Sequence, residues 1–167
     1  MNDITVTGGK AAKEFERYEL TICGMDKLQE NAKAIRQAVI DSFGGECPET
    51  QQNCIMHELA TGTMQCWIIG GVTGERRSML GCVITRIIND PYWGRRLQIF
   101  SATMYENLPR AIMLQAMARL EKFAQERECS HIDAQTGHAG AATLATMIGM
   151  KMVSQNFTKE VPDEQSE

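Results

Sequence analysis

His57 and Glu58 are the residues best suited by type to move a proton. An imidazole and a carboxylate stand side by side near the end of a helical stretch, just ahead of a strand. They read either as general bases or as an exposed helical pair without a catalytic role. Tyr105 and Asn107 lie in a bend between a strand and a helix, where they either position a ligand or serve as turn and cap residues. Cys129, His131 and Asp133 alternate along one strand, but no fourth ligand has suitable spacing, so no metal site is expected. The six cysteines form no Cys-x-x-Cys pair, and several fall inside apolar runs, as small buried side chains of a reducing compartment do. Gly70-Gly71-Val72-Thr73-Gly74 lacks the Gly-Lys-Ser/Thr of a phosphate-binding loop and reads as a turn. Arg76-Arg77, Arg95-Arg96 and Arg110 either converge on an anionic partner or are solvated turn residues.

The elements that must position these groups follow from periodicity. Tyr18–Cys23 alternates as a strand. Met25–Phe43 places Leu28, Ala32, Ile35, Val39 and Phe43 on one helical face, and Gly44-Gly45 ends it. Gln52–Ala60 predicts a second helix, Met64–Ile69 a strand, Gly70–Glu75 a turn and Leu80–Ile88 the returning strand. A turn at Asn89–Pro91 leads to a strand over Leu97–Ala102, with Leu97, Ile99 and Ser101 on one face. A long amphipathic helix then runs from Pro109 to about Arg127, capped by Asn107 and buried through Ile112, Ala116, Leu120 and Phe123. Ser130–Gln135 is a second strand, parallel to the first if the helix is a crossover. A ligand's phosphates could then meet the helix N-terminus in the bend between Ala102 and Ile112. Ala139–Ile148 predicts a short helix stopped by Gly149, followed by a strand over Lys151–Lys159.

At 167 residues the chain fits a single domain, expected over 17–161, with a flexible arm at 1–16 and an acidic disordered tail at 162–167. A net charge of −4 argues against a general nucleic-acid binder. The strongest apolar run, Cys66–Ile69, is far short of a membrane span, and Met1–Ile4 opens no secretory signal, so a cytoplasmic protein is expected.

The element order β-α-α-β-β-β-α-β-α-β resembles the GNAT N-acetyltransferase fold, a three-layer α/β arrangement (α+β, mixed sheet). Gly149-Met150-Lys151 is similar to the Gly-Phe-Lys that closes the second signature of those enzymes. Glu58–Gly62, Gln65-Cys66-Trp67, Val83–Ile87, Leu120–Ala124 and Phe157–Glu160 narrow the resemblance to a GNAT-like family common in tailed bacteriophages. The resemblance implies acetyl-coenzyme A held by backbone N–H groups at the strand-to-helix bend, which maps onto Ser101, Ala102, Tyr105, Arg110, Ala111 and Ile112, with Glu58 or His57 as base and acyl transfer to an amine. The family's Gln/Arg-x-x-Gly-x-Gly/Ala aligns with Leu108–Met113, so Ala111 and Met113 stand at the glycine positions and Pro109 removes one donor. The general-acid Tyr has no counterpart in Leu144-Ala145-Thr146, and His138 and Ala141 stand where phage relatives carry Arg and Trp. These departures motivate a second reading. In it the chain is a non-catalytic virion component or a module binding a phage or host protein, with oligomerisation open.

Overall fold

The computed structural model describes residues 5–6, 15–134, 145–146 and 148–151. The chain divides into two compact units, residues 1–135 and 136–167.

In the first unit, a mixed sheet runs in the order β2 (Arg17–Ile22), β3 (Met64–Thr73), β4 (Arg76–Asp90), β5 (Gly94–Met104), β6 (His131–Ala134). The β2–β3, β3–β4 and β4–β5 pairs are antiparallel, and β5–β6 is parallel. A short β1 (Thr5–Val6) lies parallel to β4 at Ser78–Met79, beyond the end of β5.

Three helices cover one face: α1 (Met25–Glu30), α2 (Ala32–Ser42) and α3 (Glu49–Ala60). Leu28, Ile35, Val39, Ile55 and Leu59 pack there against Cys66, Ile68, Met79 and Ile84 from alternate strand positions. The other face receives α4 (Arg110–Glu126), whose buried stripe is Met117, Leu120 and Ala124. The Phe123 ring stands edge-on to Trp67 at 5.1 Å. The expected three-layer α/β fold is therefore present.

Several boundaries differ from the sequence reading, each for a local reason. The helix expected over 25–43 is broken at Asn31, whose side-chain amide donates to the Lys27 carbonyl at 2.8 Å and competes with the helical ladder. Gly70 and Gly71 are strand rather than turn, and the hairpin closes at Gly74-Glu75. A Cβ on Gly71 would lie 2.5 Å from the Phe15 ring, so the missing side chain is what lets that ring cover the strand. Residues 15–16 are docked as well: the Glu16 N–H donates to the Val72 carbonyl, and its carboxylate accepts from the Gly74 N–H. Helix α4 has Pro109, not Asn107, at its N-cap, with no side-chain cap bond.

All six cysteines are free thiols. Cys66 and Cys82 are buried with their sulfurs 3.7 Å apart, while Cys54 is exposed.

In the second unit, Ala145-Thr146 is helical and Gly149, at φ 91°, ends the turn. Its N–H donates to the Thr146 carbonyl, and that of Met150 to the Ala145 carbonyl. The expected helix over 139–144, the strand beyond Lys151 and the tail lie outside the described residues.

Candidate functional site

The candidate site lies along the second half of β5. Among the described residues the register with β6 runs to Ile99↔Ala134, and β5 continues to Met104 along β4. A bulge opposite Ile84/Thr85 inserts Phe100 as an extra residue. This insertion flips the strand, so Ser101 does not share a face with Leu97 and Ile99 as the alternation predicts. Its hydroxyl instead donates to the Ser42 hydroxyl of α2 at 2.8 Å.

The bulge also decides which backbone groups are free. The Tyr105 N–H donates to the Leu80 carbonyl at 2.8 Å, so Met104 and Ala102 are the positions whose N–H and C=O point away from β4. Among the described residues no strand pairs with them on that side. They form a short polar edge at the carboxyl end of a parallel pair, where ligands of open α/β sheets bind. Gly81 supports this end, since a Cβ there would sit 2.6 Å from the Met104 sulfur.

The bend then delivers the chain into α4. Its first turn holds no acidic residue and no side-chain cap, and Arg110 and Ala111 are exposed there. A helix of 17 residues without a side-chain cap presents the positive end of its dipole to anions, although the Ile112 N–H already donates to the Pro109 carbonyl at 2.9 Å. Ile112 is half-buried on the same turn.

Tyr105 is held the other way. Its hydroxyl donates to Asp41 Oδ2 at 3.2 Å, and burial together with the Asp41 charge pushes its pKa up, so it stays a neutral phenol. The side chains of Ser101 and Tyr105 therefore brace β5 against α2. What remains at those positions for a ligand is backbone.

The other candidates are dispersed. His57 is exposed and Glu58 half-buried on the last turn of α3, where Glu58 accepts from the Cys54 thiol at 3.8 Å. No hydrogen bond or ion pair among the described residues joins either to the 101–112 segment. Arg77 and Arg96 lie at opposite ends of β4, since Arg96 pairs with Ile88, roughly 35 Å from Arg77 along an extended strand. The five arginines thus do not converge. Cys129, His131 and Asp133 bond separately to the Arg127 carbonyl, Ser130 Oγ and Arg96, and no metal-holding group of three is found among the described residues.

One cluster was missed by the sequence reading. Arg96 lies between Asp133 (3.2 Å) and Asp90 (3.5 Å), and beside them Arg86 Nε donates to the buried Gln98 at 2.8 Å. Asp133 Oδ1 is buried without a hydrogen-bond partner among the described residues. Asp133 and Gln98 sit opposite each other in the β5–β6 register. The only available signal was the alternation of His131 with Asp133, and nothing in it identifies Arg96 as the partner.

No protein-family model and no curated protein matches the chain in sequence. Solved structures do match in fold. A probable acetyltransferase aligns at TM-score 0.66 and 14% identity, covering 87% of this chain and 99% of that one. The aminoglycoside N-acetyltransferase AAC(6')-Iy, in complex with a bisubstrate analogue of CoA, aligns at TM-score 0.67 and 11% identity, covering 89% and 100%. Ribosomal-protein-alanine N-acetyltransferase from Brucella melitensis biovar Abortus aligns at TM-score 0.64 and 14% identity, covering 87% and 100%. The chain has the GNAT-like acetyltransferase fold.

Proposed function

We propose that the protein binds acetyl-coenzyme A at the carboxyl end of β5 and transfers the acetyl group to an amine. The observation that carries this reading is the edge of Ala102 and Met104, left without a strand partner on that side among the described residues, leading into a helix N-terminus with no side-chain cap. An amide-bearing chain can add to that edge as a strand would, and a diphosphate fits the first turn of α4 beside Arg110. Ala111 still admits close approach of the backbone, whereas Met113 and Pro109 narrow the choice of donors.

When bound, acetyl-CoA supplies an activated thioester. This chain's part is to orient it and to take a proton from the incoming ammonium. We assign that role to Asp133 rather than Glu58 or His57, because it lies on β6, the parallel neighbour of β5, and its Oδ1 has no hydrogen-bond partner among the described residues. Isothermal titration with acetyl-CoA tests the binding; no heat at millimolar ligand would remove the reading.

A second reading is favoured by the bulk at the glycine positions and by the absence of Tyr at Ala145 and Thr146. In it the fold belongs to a phage-encoded protein of the host cytoplasm whose coenzyme loop has degenerated, and the chain binds a phage or host protein or enters the virion. The β4–β5 turn suits such a contact, with Tyr92 93% and Trp93 61% exposed. Mass spectrometry of purified particles and pull-downs decides it: absence from both leaves the enzyme.

A further inference from the structure

A groove of about 430 Å³ runs along the edge strand β2 and borders α4. Leu20 and Ile69 give it an apolar wall, and Gln115 adds an amide. Three cations line it, from three different elements: Lys27 of α1, Arg77 of β4 and Arg119 of α4. All three are exposed, and none makes an ion pair or side-chain hydrogen bond among the described residues. The one carboxylate in the lining, Glu19, is already neutralised by Arg17 at 2.6 Å. These three face one cavity, unpaired among the described residues.

We propose that this groove binds a small phosphate-bearing polyanion through Lys27, Arg77 and Arg119. Two guanidinium forks match phosphate oxygens bidentately, and the ammonium adds a point charge. The volume suits a small molecule, and the Leu20–Ile69 wall with the Tyr18 ring beside it accommodates an attached organic group. Of the residues expected to hold coenzyme, only Ile112 also lines the groove. The proposal therefore stands whether or not the β5 edge binds acetyl-CoA. Its phosphates come either from a free ligand, such as pyrophosphate or a nucleoside polyphosphate, or from the coenzyme itself.

Calorimetric titration of the full chain with pyrophosphate and with ATP, at low and high salt, tests it. Wild type should bind at least one of the two, more weakly at high salt. Arg77→Glu and Arg119→Glu should each weaken that binding tenfold or more, and Arg95→Glu, at the distant start of β5, should leave it unchanged. Thermal melts verify that the variants fold, as expected for exposed side chains without partners. The same variants titrated with acetyl-CoA separate the sources: unchanged affinity assigns the groove to a free phosphate ligand, and a matching loss assigns it to the coenzyme. No heat from wild type with either probe, or an equal loss in Arg95→Glu, overturns the proposal.

Discussion

Replacing Ala111 by Asp should raise stability and lower acetyl-CoA affinity at the same time. Ala111 is exposed in the first turn of α4, whose N-terminus has neither a side-chain cap nor an acidic residue. A carboxylate there meets the positive end of the helix dipole, worth about 0.3–1 kcal/mol. For a chain of this size that corresponds to roughly 1–4 °C in Tm. The same carboxylate would occupy the place assigned to the coenzyme diphosphate. Two unit charges about 4 Å apart repel by about 1 kcal/mol in water and about 4 kcal/mol at an effective dielectric of 20. Affinity should therefore fall by roughly 5-fold to nearly 1000-fold. Thermal melts and calorimetry on one preparation read both effects, and Ala111→Asn controls for size without charge. A variant that gains stability yet binds acetyl-CoA like wild type would refute the placement of the phosphates on α4.

Asp133→Asn should lower kcat by about 10²–10⁴ with little change in KM for acetyl-CoA, as expected for a proton acceptor. Glu58→Gln should stay near wild type in the same steady-state assay, and the reverse ranking would return the base to α3. Thr85→Val removes the acceptor of the Trp67 indole N–H at 2.9 Å in a fully buried setting. It should cost about 1–3 kcal/mol, or roughly 2–12 °C in Tm; an unchanged melt would show that the bond contributes nothing. Asp90 accepts the N–H groups of Tyr92 and Trp93, which together with Arg96 hold its carboxyl below the ordinary aspartate value of 3.8. A depressed carboxyl stabilises the turn above its unfolded pKa and loses that effect as pH falls through the folded one. The Tyr92 and Trp93 amide resonances should therefore titrate below pH 3.8, and a midpoint above that value would contradict the bonding.

Much of the fold was legible because its periodicities are strong. The stripe Ile112, Ala116, Leu120 and Phe123 located α4 to within a residue or two, and the alternation of Met64–Ile69 located β3. What escaped were features that depend on contacts distant in sequence. Gly70-Gly71 looks like a turn until Phe15 is known to need the space above it. Asn31 looks like an ordinary helical residue until its amide turns back on Lys27. The bulge at Phe100 leaves no mark on composition, yet it sets the direction of Ser101 and frees the edge at Ala102 and Met104. The bend stands out in the sequence as a strand-to-helix junction, whereas Ser101 and Tyr105 were assigned by position alone and their side chains turn to α2. His57 and Glu58 have suitable chemistry, but nothing in their spacing reveals which end of the sheet they occupy.

We propose that the end of β5 and the first turn of α4 together hold acetyl-CoA. Amide resonances followed during an acetyl-CoA titration of labelled protein test it most directly. Saturable shifts are expected at Ala102, Met104 and Ala111, with Arg95 at the far end of β5 unmoved. Saturable shifts confined to other residues, or none at millimolar ligand, would contradict it.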